Sequence, residues 1–214
     1  DVCSSDLILF FGDSHAKDLF NSYQYTSQRE FIIGLSANFC QAHEKINHCY
    51  FPELRDFIKA FPDIFEKVYF HQAGYFFLTE NNHELNDKYL LEQLPLEGNT
   101  AKFGISRNRV KSLRSNLKSY FDDIVIIGPR IEPHIQTKYI KKYSCNHKFG
   151  TRENLDNAFI VLDNFFNEEF NEFTYLSLQE IVRFSIDEDF INCDEIYWSD
   201  GDHWSIAGEK KFSK

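Results

Sequence analysis

The sequence predicts an α/β fold, a three-layer α/β/α sandwich around a mainly parallel five-stranded sheet. Short, continuous apolar runs recur along the chain, and segments of helical character follow them. The runs lack the polar alternation of a sheet with one wet face, so they read as strands buried on both faces, which favours parallel pairing.

The elements follow in order. Residues 7–11 (LILFF) form a first strand that stops at Gly12. Ser14 then caps a helix over residues 15–24. Residues 30–35 (EFIIGL) give a second strand, and a loop over 36–51 carries Cys40 and Cys49. Pro52 opens a helix to about Ala60, because proline is tolerated in a first helical turn. Residues 67–72 give a third strand, and 80–100 read as polar and irregular. An amphipathic helix spans 106–120, with Val110, Leu113, Leu117 and Phe121 on one face. Residues 123–129 (DIVIIGP) form the clearest strand, β-branched and ended by Gly-Pro. Pro133 starts a further helical segment, residues 155–170 another helix, and 173–178 a fifth strand. With no internal repeat, low-complexity tract or linker, residues 1–214 read as a single domain.

The formal charge of -10 argues against a nucleic-acid partner, which would need a basic surface. The basic stretch at residues 107–118 (RNRVKSLRSNLK) reads first as the solvated face of a helix, with an anion site as the alternative. No apolar run reaches the length of a membrane helix. The five cysteines include no CxxC pair and no zinc-ligand spacing, so no metal site is expected. Cys40 and Cys49 in one loop suit a local disulfide, which implies an oxidising compartment; scattered buried thiols in a cytosolic protein are the alternative. The chain starts without methionine and halts inside an apparent helix, GEKKFSK, so it is expected to be a segment of a longer chain.

In a parallel α/β sheet, ligands bind beyond the carboxyl ends of the strands. Ser14 lies there, at a helix start where free N–H groups and the helix dipole favour a developing negative charge. That placement suits an acyl-transfer nucleophile, although a serine at such a turn is also an ordinary cap. A nucleophilic serine needs a base, and the base needs a carboxylate. Asp200 and His203 stand three residues apart near the other end of the chain, a spacing that lets Asp200 reach the imidazole Nδ1 while Nε2 points toward the serine. Asp202 adjoins His203 and is expected to diverge from it. Asp13 is expected to tie down the turn, His15 to be a first-turn structural side chain with a pocket-facing one as the alternative, and Trp204 a core or lid aromatic with sugar stacking as the alternative. Serine, acid and base follow this order in α/β-hydrolases too, but there the nucleophile follows several strands and the acid and base lie far apart in sequence.

Residues 10–16 (FFGDSHA) and 200–208 (DGDHWSIAG) resemble the first and last signature blocks of the SGNH, or GDSL-type, hydrolase superfamily. The Gly-Asp-Ser-His-Ala form, with Asp-x-x-His-x-Ser near the end, resembles the C-terminal SGNH domains fused to acyltransferase-3 membrane proteins, which O-acetylate bacterial surface sugars. Residues 35–40 (LSANFC) resemble the cysteine-containing loop of that group and 124–129 (IVIIGP) its fourth strand. The resemblance implies a flavodoxin-like sandwich, Ser14 as nucleophile, His203 as base then acid, and Asp200 as its carboxylate. It also implies no cofactor, a polysaccharide acceptor, a transmembrane acyltransferase-3 partner domain, and the bacterial periplasm. A stand-alone carbohydrate esterase or lipase, or a degenerate glycan-binding domain, are the alternatives. The third signature block of the superfamily supplies an oxyanion asparagine; here residues 71–75 read HQAGY. The oxyanion hole is therefore expected from the Ser14 N–H with a backbone N–H near Ser36 or Ala37, or from the Gln72 amide.

Overall fold

A computed structural model describes residues 7–26, 31–37, 40–44, 48–80, 83–84, 103–135, 139, 142, 147–150 and 154–213. Five parallel strands form the central sheet: β1 (Leu7–Gly12), β2 (Phe31–Ser36), β3 (Phe65–His71), β7 (Val125–Ile127) and β8 (Thr174–Leu176). Their order is β2-β1-β3-β7-β8. β1 pairs Gly12 with Ser36 of β2 on one side and with His71 of β3 on the other. The chain thus steps from β1 to one edge and returns on the far side of β1, a reversal that opens a crevice above the β1 and β3 carboxyl ends.

β1 shows why its run is apolar throughout. Leu9 and Phe11 enter one core with Phe51, Phe70, Leu113, Phe159 and Phe166. Ile8 and Phe10 enter the other, with Leu19, Ile127, Phe190, Trp198 and Trp204. Successive side chains of a strand point to opposite faces, so both parities of β1 must be hydrophobic.

Helices α2 (Phe51–Ala60), α3 (Arg107–Tyr120) and α4 (Leu155–Glu169) feed the first core. On the other face lies α1 (Ser14–Tyr23), with the C-terminal α5 (Ile206–Lys211) beside it. Asn21 Nδ2 and Ser22 Oγ of α1 both donate to Glu209 of α5, at 2.7 and 2.9 Å, and so fix the two chain ends together.

Several expectations shift. A second, antiparallel sheet consists of β4 (Leu78–Glu80), β5 (His83–Glu84) and β6 (Phe103–Ile105); of the 80–100 stretch that reads as irregular, Glu80 and His83–Glu84 belong to it and most of the rest lies outside the described residues. These strands are two or three residues long and, unlike β7, lack a β-branched apolar run. Residues 131–135 are irregular, and most of the helical segment expected after Pro133 lies outside the described residues. Cys40 and Cys49 form a disulfide, and Cys193 is disulfide-bonded as well. The Arg107–Lys118 cations sit on α3, whose Val110, Leu113 and Leu117 are buried; Arg114 pairs with Glu172 at 2.7 Å.

Candidate active site

The site begins with a turn only glycine can make. Gly12 has φ +146°, and a Cβ there would stand 1.8 Å from the His71 carbonyl oxygen. The two central strands can therefore approach closely where the chain leaves β1. Asp13, 4% exposed, caps α1: its Oδ1 accepts from the His15 N–H at 2.9 Å and its Oδ2 from the Ala73 N–H at 2.8 Å. One carboxylate thus joins the turns after β1 and β3, as its expected tying role requires. Ser14 follows at the first position of α1, where the backbone N–H has no intrahelical acceptor.

The other half of the site is the 199–203 turn. A bridge between Trp198 and Trp204 closes it, and the Ser199 N–H donates to the His203 carbonyl at 2.9 Å. Asp200 Oδ1 accepts from the N–H groups of Asp202 and His203, at 3.2 and 2.8 Å, an Asx turn that folds the carboxylate back over the imidazole. His203 Nδ1 lies 3.0 and 3.1 Å from the two Asp200 oxygens, and Nε2 lies 2.8 Å from Ser14 Oγ. Carboxylates only accept, so the Nδ1 proton faces Asp200 and leaves Nε2 to take a proton from the hydroxyl. The structure brings Ser14, His203 and Asp200 into one chain of hydrogen bonds across 189 residues of sequence.

Asp202 does not diverge fully. Its Oδ1 stands 3.2 Å from His203 Nδ1, while Oδ2 stands 3.1 Å from His15 Nε2. The turn is tight enough for an adjacent side chain to bend back under the ring. Burial opposes charge on His203, but Asp200 and Asp202 outweigh it and push its pKa up to about 11.

The oxyanion candidates fare differently. The Ala37 N–H donates to the Gly12 carbonyl at 3.0 Å, continuing the β1–β2 ladder. Successive N–H groups of a strand point to opposite sides, so that of Ser36 points away from β1. Gln72 is buried: its Oε1 accepts from the Ala42 N–H at 3.0 Å, and its Nε2 lies 3.1 Å from His43 Nδ1. Ala37 and Gln72 therefore build structure around the site, and the Ser14 N–H, at the first position of α1, has no intrahelical acceptor.

Sequence reasoning missed the segment after β7. Arg130, 3% exposed, donates to Asp18 Oδ2 of α1 and to the Asp202 carbonyl at 2.6 Å, and lies 4.3 Å over the Trp204 ring. Asp18 Oδ2 also accepts from the Trp204 N–H at 3.0 Å. Arg130 thus clamps the His203 turn against α1, and Trp204 serves as a core aromatic, 4% exposed. Glu132 Oε1 accepts from the Gly74 N–H at 2.7 Å, and its Oε2 lies 2.9 Å from His134 Nε2. The signal was present in GPRIEPH: three ionisable residues immediately beyond a strand's carboxyl end.

Two groups, His15–Asp202–His203 and Glu132–His134–Asp202, hold ligand-type atoms within 4.8 Å of one another. His15 and His203 turn those atoms onto Asp202, and Glu132 and His134 turn theirs onto each other, so the groups read as a hydrogen-bonded network. A cavity of about 580 Å³ lined by Lys59, Lys67, Tyr120 and Asp123 lies near the opposite, amino ends of the strands, remote from Ser14.

No protein-family model matches the chain, and no curated protein matches it either. The fold and the Ser14–His203–Asp200 geometry define a parallel α/β domain with a serine–histidine–carboxylate constellation at the sheet's switch point.

Proposed function

We propose that the protein is a serine-dependent O-acyltransferase domain of the SGNH type, carrying an acetyl group from a donor to a hydroxyl of a bacterial surface polysaccharide. The observation that carries this reading is the 2.8 Å contact between Ser14 Oγ and His203 Nε2, with Asp200 behind the ring. Ser14 Oγ attacks the acyl carbonyl carbon as His203 Nε2 takes its proton. The tetrahedral oxyanion lies against the Ser14 N–H at the head of α1. Its collapse expels the donor's leaving group, which takes the proton from His203, and leaves an acyl-serine. A sugar hydroxyl then loses its proton to His203, attacks the acyl carbon and frees Ser14 Oγ, which is reprotonated.

The Cys40–Cys49 disulfide and the disulfide-bonded Cys193 favour an exported domain, in accord with a periplasmic location beside a membrane partner domain. Purified protein should release p-nitrophenol from p-nitrophenyl acetate, faster when an oligosaccharide acceptor is added, and Ser14→Ala should abolish both rates. Turnover indifferent to acceptor would select the stand-alone esterase. Turnover unaffected by Ser14→Ala would end the reading. A non-catalytic glycan-binding domain is the second reading, favoured by the structural commitment of Gln72 and Ala37; glycan binding without turnover by the folded protein would select it.

A further inference from the structure

A histidine flanked by two carboxylates poses a problem for a serine nucleophile. The carboxylates stabilise the imidazolium formed during attack, but they also hold the ring protonated beforehand, when it must be neutral to accept the Ser14 proton. Asp200 has a side chain 48% exposed, so water screens it; the side chain of Asp202 is 6% exposed and acts with little screening. Something must offset the Asp202 charge if His203 is to act as a base near neutral pH.

His15 is placed to do so. It is 1% exposed, its Nε2 lies 3.1 Å from Asp202 Oδ2, and its ring centroid lies 4.9 Å from that of His203. On its other side, Nδ1 lies 3.6 Å from Glu132 Oε1. We propose, building on the acyltransferase reading, that His15 is a buried cationic counter-charge to Asp202, and that this pair sets the pH range in which His203 serves Ser14 as a base.

The surroundings support a charged His15. Burial and the Arg130 guanidinium oppose the charge, yet the carboxylates of Glu132, Asp202 and Asp13 outweigh them and raise His15 above its ordinary value. His71, at the end of β3 with its ring 6.3 Å from that of His15, is held neutral by burial, its pKa lowered to about 3, so it adds no competing cation near neutral pH. Tyr75, from the turn after β3, has its ring 6.5 Å from His15. Asp202 faces His15, His203 and His134, and Arg130 holds its main-chain carbonyl. Although burial opposes it, hydrogen bonds to His15 and His203 keep the Asp202 carboxyl well below the usual carboxylate range. Charge alternates in sign from Asp202 through His15 to Glu132.

Two variants separate this role from simple packing. Asp202→Asn removes the anion and should lower the midpoint of the acid limb of kcat/KM for p-nitrophenyl acetate. His15→Gln removes the cation and should raise it, each by about one to two pH units for screened unit charges roughly 3–5 Å apart. A residue that merely packs would change the rate without moving the two midpoints in opposite directions. Shifts of the same sign, or shifts under about 0.3 units, would overturn the proposal. Should His15→Gln fail to fold, nitrogen NMR of the Ser14→Ala protein reads the charge on His15 directly, without turnover, and so stands even if the acyltransferase reading fails. His15 should keep both ring protons from pH 6 to pH 8, and its titration midpoint should fall in the Ser14→Ala/Asp202→Asn protein. A His15 ring neutral throughout that range would refute the counter-charge.

Discussion

Substituting Gly12 by alanine tests the geometric basis of the site. The added Cβ would meet the His71 carbonyl oxygen at 1.8 Å and Ala16 Cβ at 3.1 Å, at a backbone φ of +146° that side chains rarely adopt. The obstructing oxygen belongs to the central strand β3, so relief requires β1 and β3 to part by about 1 Å at the Gly12–His71 pair or the turn to rotate. Backbone strain in this region costs about 1–3 kcal/mol before the clash is counted. With the clash, Gly12→Ala should lose at least ~3 kcal/mol, a large part of the roughly 5–15 kcal/mol that stabilises a domain. Ser14 lies two residues on, and a displacement of about 1 Å in a reacting group can cost on the order of 100-fold in rate. Urea denaturation followed by tryptophan fluorescence reads the first effect, and p-nitrophenyl acetate turnover the second. A Gly12→Ala protein within about 1 kcal/mol of the parent, with unchanged turnover, would refute the reasoning.

Other outcomes follow from the same contacts. Asp200→Asn should lower kcat by about 10- to 100-fold rather than by the ~10⁴ seen when a triad's lone carboxylate is lost, because Asp202 Oδ1 remains 3.2 Å from His203 Nδ1; an unchanged kcat would remove Asp200 from the triad. Burial lowers His71 from 6.5 to about 3, so the folded state prefers the neutral ring: its contribution is present above pH 6.5 and is lost as pH falls toward 3. By pH 4.5 the loss reaches about 2–3 kcal/mol at ~1.4 kcal/mol per pH unit, and the urea midpoint should fall less in His71→Gln; an equal fall would contradict the assignment. Replacing Cys40 and Cys49 by alanine opens a link between residues nine apart in sequence and should cost ~2–3 kcal/mol, read by the thermal midpoint under oxidising conditions; no change would show that the loop is held by other contacts.

β1, β2 and β7 were legible because each is a nearly continuous apolar run, and β1 in particular sends Ile8 and Phe10 to one core and Leu9 and Phe11 to the other. The Ser14, Asp200 and His203 candidates were legible because their local spacing restricts what each side chain can reach. The Arg130 clamp was not, since it depends on the segment after β7 standing beside α1 and the 199–203 turn, a long-range placement that local pattern does not encode. The oxyanion residues failed for a related reason. Ala37 and Gln72 were chosen by position along the chain, but the fold sets their neighbours: the Ala37 N–H donates to the Gly12 carbonyl, and the Gln72 side chain is held between Ala42 and His43. Asp202 shows the limit of adjacency arguments, because an Asx turn bends the chain enough for Asp200 and Asp202 to share one ring nitrogen of His203.

The most direct measurement is covalent labelling of the folded protein with a fluorophosphonate, followed by peptide mass spectrometry. An alcohol made reactive by an imidazole 2.8 Å away should carry the adduct on Ser14 alone, and His203→Ala should suppress it. A folded, unlabelled protein, or an adduct elsewhere that His203→Ala leaves in place, would contradict the account.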